Sequence, residues 1–264
     1  MPKLNSTLIG LVKKVLFYLI LIAIWELVYR IGVDWLGLWK PYIFPSPIAV
    51  FTTLWDLIAD GSLGIAVLAS AKRIIIGYGL SIIIGILVGL TIVRFKYLDE
   101  NLSPLILGLQ TLPSICWLPF SILWYGLNES AIIFVITVGS TFAVSIAIES
   151  GMKNINPLFI RAGKTMGAKG FNLYWNVIIP ASLPSIVSGL KQGWSFAWRA
   201  LMAGEMISAT KGLGQVLMVG RDLADISQVM AVMLVIVVLG VGVDKLIFGR
   251  IEINIRERWG LDKA

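Results

Sequence analysis

The sequence predicts an all-α polytopic membrane protein with about six transmembrane helices. Of its 264 residues, 58% are hydrophobic and only 14% are charged, and the mean hydropathy is +0.88. A soluble domain of this length is about half apolar and about a quarter charged, so this excess of apolar side chains favours a bilayer over water. The apolar residues also form long uninterrupted runs, which are typical of membrane-spanning helices.

Six apolar runs are each long enough to cross a hydrocarbon core of about 30 Å as a helix. The predicted spans are residues 15–31, 74–93, 102–125, 131–148, 183–206 and 229–248. The first run has no small-residue cleavage site, so we expect a retained helix and not a signal peptide. The whole chain, residues 1–264, is expected to form a single transmembrane domain.

The distribution of Lys and Arg predicts that both termini are cytoplasmic. With this orientation, fourteen of these residues lie in inner segments and six in outer segments, and Lys191 and Arg199 remain inside the fifth span. The orientation gives a long cytoplasmic loop at 151–180 and outer loops at 32–72 and 207–228. In the first outer loop, Phe44-Pro45-Ser46-Pro47 predicts the start of a short helix at the membrane surface.

Several function classes are excluded by residue types that the sequence lacks. With no histidine and one cysteine, Cys116, the chain offers no metal cluster and no Ser-His-Asp set, so we predict no catalytic residue and no enzyme. No Gly-x-x-x-x-Gly-Lys-Ser/Thr pattern occurs, so ATP-Mg is not expected to bind this chain. The net charge of +7 reflects cytoplasmic Lys and Arg, and nucleic acid is not an expected partner.

The loop at 151–180 is long, basic and partly apolar, unlike a simple solvated connection. Two short helices are expected to meet at Gly167, where a turn can take positive φ. The small side chains of Ala162 and Gly163 allow a partner backbone to approach closely. Phe171 and its aromatic neighbours Tyr174 and Trp175 could anchor the loop at the membrane. Two interpretations stay open from these residues: a binding site for a cytoplasmic partner, or an interfacial amphipathic hairpin.

The spacing in this loop resembles the coupling motif of ABC-importer permeases. That motif reads Glu-Ala-Ala, three residues, Gly, nine residues, and Ile-x-Leu-Pro. Ala162, Gly167 and Pro180 match it by identity, whereas Arg161 replaces the usual Glu and Gly163 the usual Ala. The resemblance implies that an ATPase is coupled through a set of seven residues, namely Arg161, Ala162, Gly163, Gly167, Ala168, Phe171 and Pro180.

Motifs along the rest of the chain resemble the sulfonate, taurine and nitrate branch of these permeases. They are Phe44-Pro45-Ser46-Pro47, Ser70, Arg73, Gly77, Leu112-Pro113, Pro119, Trp124, Gly126, Glu129 and Gly212-Leu213-Gly214. The resemblance implies the type I ABC-importer permease fold in a bacterial inner membrane. It also implies three partners: a second permease copy, two cytoplasmic ATPase subunits that bind ATP-Mg, and an external solute-binding protein.

The resemblance leaves the substrate open within the branch, and the cationic pair of the fifth span, Lys191 and Arg199, favours a small anion such as a sulfonate, taurine, nitrate or bicarbonate. One alternative is import of a pyrimidine precursor of thiamine by the same machinery. The alternative from another class is an ATP-independent secondary transporter, against which the basic loop and its glycine spacing argue.

The third and second spans carry features with both a functional and a packing interpretation. Pro113 and Pro119 are expected to kink the third span beside Gln110 and Ser114, and we interpret it as a bent helix that lines the solute pathway. Ordinary helix packing is the alternative. In the second span, small residues recur every four positions and favour close helix packing over pore lining; they are Gly77, Ser81, Gly85 and Gly89.

The fifth span contains two cations, Lys191 and Arg199, on one helical face with Ser195 between them. Charges inside a span are costly and normally face water or the protein interior. We interpret them as groups that attract an anion. The alternatives are pairing with Glu26 or Glu205, and extension of Lys191 toward the headgroups. Trp194 and Trp198 lie on a nearby face and either stack on substrate or, as we favour, pack.

Overall fold

A computed structural model describes the backbone of residues 2–259 and their side chains except for residues 2–9 and 11. Within this part of the chain every regular element is helical, as the composition predicts. The α-helices of the described residues are α1 (Pro2–Tyr29), α2 (Pro47–Ala59), α3 (Ser62–Arg94), α4 (Lys96–Gln110), α5 (Leu118–Tyr125), α6 (Glu129–Lys153), α7 (Pro157–Thr165), α8 (Gly170–Leu173), α9 (Ile179–Ile207), α10 (Leu213–Asp222), α11 (Ile226–Val243) and α12 (Gly249–Arg258).

Five helical segments in the described residues are long and apolar enough to cross a membrane. They are Val12–Trp35, Ser62–Arg94, Glu129–Lys153, Gly170–Ile207 and Ile226–Arg258. Each contains one of the predicted spans. The bent pair of α4 and α5 adds a sixth if the two helices count as one span. The prediction of an all-α fold with about six membrane helices is therefore confirmed.

The third predicted span is not one kinked helix, and in this respect the prediction is wrong. α4 ends at Gln110, a 3₁₀ turn follows at Ser114–Trp117, and the two segments on either side of the break differ in direction by 101°. Pro113 donates no backbone hydrogen bond and also disfavours the helical conformation of the residue before it, so the helix stops there. Pro119 does not kink a helix, because it lies in the first turn of α5, where its missing N–H is not needed.

The first outer loop contains the predicted short helix. Ser46 caps α2 by accepting a hydrogen bond from the backbone N–H of Ala49 at 3.2 Å, and Pro47 occupies the first turn. α3 begins at Ser62, so the end of this loop is helical too. Asp60 accepts a hydrogen bond from the backbone N–H of Ser62 at 2.8 Å, and the side-chain and backbone hydrogen bonds from Ser62 lower the pKa of the Asp60 carboxyl.

Contacts divide the chain into two compact units. The first comprises Met1–Gly64 and Val216–Val235, and the second comprises Ile65–Gln215 and Ile236–Ala264. In the first unit, Trp25 Nε1 donates to the carbonyl of Pro45 at 3.1 Å. The candidate site lies in the second unit, and the assignment of the whole chain to one transmembrane domain stays a prediction.

α6 lies at the centre of the second unit, against small residues of α3 and α9. A Cβ added at Gly85 of α3 would lie 2.6 Å from Cγ1 of Val144, and one added at Gly204 of α9 would lie 3.2 Å from Cγ2 of Ile132. The Ser81 and Ser140 hydroxyls share a hydrogen bond of 2.6 Å between α3 and α6. The packing interpretation of the small residues in the second span is therefore confirmed: Gly77 and Gly89 make the same close approaches as Gly85.

Candidate functional site

The face of α9 that points away from the core of the second unit is polar, although the helix is apolar enough to cross a membrane. Five polar side chains recur at intervals of three and four residues and all are exposed: Ser185, Ser188, Gln192, Ser195 and Arg199. The opposite face of the helix is buried against the core and contains Gly193, Ala197, Ala200, Leu201 and Gly204. In lipid an exposed polar stripe is unfavourable, so this face requires water or protein beside it.

Sequence reasoning found Ser195 and Arg199 of this face but missed Ser185, Ser188 and Gln192. Their spacing was the available signal, because residues three and four apart share one side of a helix. Serine residues at this spacing are also common where membrane helices pack together, so by themselves they do not indicate a polar face.

Arg199 and the break between α4 and α5 form one recess of about 280 Å³. Gln110, Ser114 and Arg199 line it, as do Thr111, Phe196 and Ala203. The guanidinium carbon of Arg199 lies 4.8 Å from the ring centre of Phe196, and its Nε donates to the carbonyl of Ser195 at 3.1 Å. The structure thus brings together three of the residues that the sequence predicted for a solute pathway.

Lys191 lies elsewhere and has a different partner from those considered in the sequence analysis. Its Nζ lies 3.2 Å from Oδ2 of Asp244, in the helical segment that ends with α12. Glu26 instead pairs with Arg30 at 2.7 Å, and Glu205 pairs with Arg73 at 2.7 Å. The proposed pairing of Lys191 or Arg199 with Glu26 or Glu205 is therefore wrong, because both carboxylates are already neutralised locally.

Trp194 and Trp198 lie on another face of α9, away from the recess. Their rings stack with centroids 6.0 Å apart, and the rings of Trp194 and Tyr78 pack in a T-shaped arrangement with centroids 5.5 Å apart. They line an apolar groove of about 340 Å³ together with Phe248. These contacts are those of packing residues.

The most completely buried charge in the second unit is the carboxylate of Glu205. It accepts hydrogen bonds from the Ser70 hydroxyl at 2.7 Å, from Arg73 at 2.7 Å, and from the backbone N–H of Gly214 at 3.0 Å. Arg73 is 1% exposed and also reaches Glu129 at 3.2 Å. We call these five residues the Glu205 cluster.

The Glu205 cluster unites motifs that lie far apart in the sequence. The first glycine of Gly212-Leu213-Gly214 leaves no room for a Cβ beside the carboxylate, and the backbone N–H of Leu213 donates to the Ser70 hydroxyl at 3.0 Å. Because a carboxylate within a span requires partners, the position of Glu205 in the fifth predicted span indicated that a cation or hydrogen-bond donors would lie beside it. The sequence did not indicate that Arg73, which directly precedes the second predicted span, would be buried beside Glu205.

The segment from α7 to the start of α9 has the turn that the sequence predicts. Gly167 has φ 88° and follows the end of α7, and the N–H of Ala168 donates to the carbonyl of Gly163 at 3.0 Å. Gly163 is buried, and a Cβ there would lie 2.8 Å from Cγ2 of Val177. The small residue at 163 therefore serves packing within the chain, whereas Ala162 is exposed.

This segment presents an exposed apolar surface. Met166 is 89% exposed and Phe171 is 80% exposed, and the ring of Phe171 stacks on Trp175 at 6.0 Å. Arg161 and Lys164 are exposed on the same segment, whereas Ala168 and Pro180 are half-buried. A surface of this composition suits a protein partner or the membrane interface.

Comparison with known proteins identifies the class to which this fold belongs. The family described as "Binding-protein-dependent transport system inner membrane component" matches residues 81–249. A chain of the MetNI methionine ABC transporter, solved in inward-facing conformations, superposes with a TM-score of 0.63 at 20% identity, covering 74% of this chain and 96% of that one. The fold is that of an ABC-importer permease.

Three curated relatives cover most of the chain. A Methanocaldococcus jannaschii protein, provisionally named an ABC transporter permease, is 33% identical over 240 residues, 89% of this chain and 88% of its own. SsuC of Escherichia coli, provisionally named an aliphatic sulfonates transport permease, is 31% identical over 220 residues, which are 83% of this chain and 82% of its own. ThiX of Halalkalibacterium halodurans, a formylaminopyrimidine transport permease, is 31% identical over 203 residues, which are 76% of this chain and 78% of its own.

These findings show the family. The chain belongs to the binding-protein-dependent transport system inner membrane components, and it is a multi-pass permease of the ABC-importer type, not an enzyme.

Proposed function

We propose that the polar face of α9 lines a solute pathway between two copies of this chain, and that ATP hydrolysed by separate subunits drives transport. The observation that carries the proposal is the exposed run from Ser185 to Arg199 on a helix that otherwise suits lipid. A second copy with the same face opposite would shield both stripes from lipid and enclose a polar passage. The recess at Arg199 would open into this passage.

The segment from Arg161 to Pro180 is proposed to dock on the cytoplasmic ATPase. Three observations support this role: the positive φ at Gly167, the internal packing of Gly163 on Val177, and the exposed Met166 and Phe171. The internal packing makes the segment a compact body that can transmit a displacement. The spacing of the coupling motif, noted above, supports the same role.

The proposed orientation follows from the location of the basic residues. The segment 151–180 and both termini are cytoplasmic, and the loops at 32–72 and 207–228 face a solute-binding protein outside the membrane. The excess of Lys and Arg on the inner side supports this orientation.

The proposed substrate is a small anion. The name of the E. coli relative refers to sulfonates, and the recess contains a cation with neutral hydrogen-bonding neighbours, Gln110 and Ser114. A pyrimidine precursor of thiamine is the second candidate, favoured by the name of the relative ThiX.

The test of the coupled function is a reconstituted transporter containing this chain, the partner ATPase and the solute-binding protein. Gly167→Trp is expected to abolish ATP-driven uptake and its coupling to ATP hydrolysis, while insertion of the chain into the membrane is unchanged. The reason is that a bulky side chain at positive φ both strains the turn and obstructs docking.

Gly61→Trp is the matched control for this test. Gly61 has φ 76° and open space around it, as Gly167 does, but it lies in the first unit outside the docking segment. Uptake should persist in Gly61→Trp. Normal coupled uptake in Gly167→Trp would contradict the docking role, and uptake by the wild type without ATP would contradict the ABC mechanism.

A further inference from the structure

Arg199 is the cation of α9 that the described residues leave without an ion-pair partner. Lys191 on the same helix is neutralised by Asp244 at 3.2 Å, and the buried Arg73 is neutralised by Glu205 at 2.7 Å. Within residues 12–259, no carboxylate lies within ion-pair distance of Arg199. A guanidinium in a membrane helix costs several kcal/mol by insertion scales unless water or an anion accompanies it.

The surroundings of Arg199 hold its guanidinium in position and leave part of it available. Its Nε is engaged by the Ser195 carbonyl at 3.1 Å, and Phe196 supports the planar group from one face. No described residue accepts a hydrogen bond from the two Nη atoms. These atoms form the fork that binds carboxylate, sulfonate or phosphate oxygens through paired hydrogen bonds.

The recess around Arg199 supplies further groups of the kind that an oxyanion requires. Gln110, Thr111 and Ser114 contribute neutral amide and hydroxyl groups, and the lining contains no acidic residue that would repel an anion. Its volume of about 280 Å³ admits a small organic oxyanion. The break between α4 and α5 creates this space, because a continuous helix would leave no such gap beside α9.

We propose that Arg199, with Gln110 and Ser114, forms a binding site for a small oxyanion within the membrane domain and thereby selects the charge of the solute that passes. The inference rests on the proposed function and deepens it, since it names the residues of the pathway that bind the anion. A solute oxyanion and a lipid headgroup phosphate share this chemistry, so the experiment has to separate them.

The test measures the charge preference of a single thiol placed in the recess of the full chain in vesicles. Ile115 lines the recess and is 51% exposed, and Cys116 is the one native cysteine, so the reporter is Ile115→Cys with Cys116→Ser. The probes are an anionic sulfonatoethyl and a cationic trimethylammonium-ethyl methanethiosulfonate. The measured quantity is the ratio of their reaction rates.

Arg199→Gln is expected to lower the anionic-to-cationic rate ratio roughly tenfold, because removing one nearby positive charge acts oppositely on the two probes. Arg199→Lys should keep most of the ratio. Lys191→Gln is the matched control: it removes the same unit of positive charge, but Lys191 does not line the recess and lies about two helical turns from Arg199, so the ratio should change far less. Free ethanesulfonate should slow labelling in the wild-type background and not in Arg199→Gln.

Three results would overturn the site. An equal ratio in the wild-type and Arg199→Gln backgrounds would show that the charge is already neutralised in the assembly. A thiol that reacts with neither probe would show that the recess is closed to water. A fall in the ratio, on replacing part of a phosphatidylcholine bilayer by phosphatidylglycerol, that is larger in the wild-type background than in Arg199→Gln would assign the guanidinium to a headgroup, because the surface potential alone acts equally on both.

The labelling reaction needs no ATPase, so it separates this inference from the proposed function. Labelling with the expected charge preference, together with a failure of ATP-driven uptake, would reject the function alone. ATP-driven uptake together with an unchanged ratio would reject the oxyanion site alone.

Discussion

Two charged residues of α9, Glu205 and Arg199, lie six positions apart in opposite environments. Glu205 is fully buried and accepts hydrogen bonds from Ser70, Arg73 and Gly214. Arg199 is exposed and has no carboxylate partner in the part of the chain that the structure describes. The same helix therefore contributes one charge to the stability of the fold and presents another to whatever occupies the recess.

The difference teaches how to separate structural from functional charges in a membrane helix. A buried charge whose hydrogen-bonding capacity is met inside the chain requires no ligand, and its removal leaves its partner exposed to a low dielectric. An exposed charge within a span still requires a partner from outside the chain. Mutations at the two positions should therefore affect different measurements.

The largest expected effect is on stability, from Arg73→Met. This change leaves the buried Glu205 carboxylate without its cation, which should cost about 3–5 kcal/mol. Thermal unfolding of the detergent-solubilised protein measures it. The double variant Arg73→Met with Glu205→Met removes both charges and should recover most of the loss; a double variant as unstable as the single one would contradict the ion-pair explanation.

A smaller loss of stability is expected from Gly214→Ala. The added Cβ would lie 2.6 Å from Cβ of Glu205 and 2.9 Å from the backbone nitrogen of Met206, so backbone has to move, at about 1–3 kcal/mol. Gly79→Ala in α3 is the control, because no atom lies within 4 Å of its added Cβ. Thermal unfolding of the detergent-solubilised variants measures the difference. Equal stability of Gly214→Ala and Gly79→Ala would show that the Glu205 cluster accommodates an added methyl group.

The smallest expected effect on stability is that of Arg199→Gln. Because Arg199 has no partner in the described residues, its loss should change the free energy of unfolding by no more than about 0.5 kcal/mol. Unfolding curves of the purified variant and wild type measure this difference. A loss comparable to that of Arg73→Met would reveal an unrecognised partner, for example in a second copy, and would erase the contrast between the two regions.

The sequence predicted the helices well because each depends on a local property. Apolar runs of sufficient length identify spans without knowledge of their neighbours, and Gly167 marked its turn because few other residues adopt positive φ. The start of α3 at Ser62 escaped prediction because Lys72 and Arg73 interrupt the apolar run. The break after Gln110 was anticipated as a kink, since proline alone does not reveal whether a helix bends or stops.

The site was predicted in part, because its members are joined by contacts between distant segments. Gln110, Ser114 and Arg199 were identified individually as intramembrane polar groups, and the recess that joins them depends on the change of direction between α4 and α5. Arg73 and Glu205 are 132 positions apart, and no local pattern links them. The prediction that Lys191 pairs with Glu26 or Glu205 was wrong for the same reason, since no local pattern links Lys191 to its actual partner, Asp244.

α6 has a consequence for the transmission of movement across the bilayer. Its first residue, Glu129, is held by Arg73 and Lys72, and near its other end Glu149 and Lys153 are held by Ser103 and Asp99. This helix runs for 25 residues, about 37 Å, without an internal break. We therefore expect α6 to move as one rigid element when its end beside α7 is displaced, and we expect the neighbouring α4–α5 pair to bend more easily at its break.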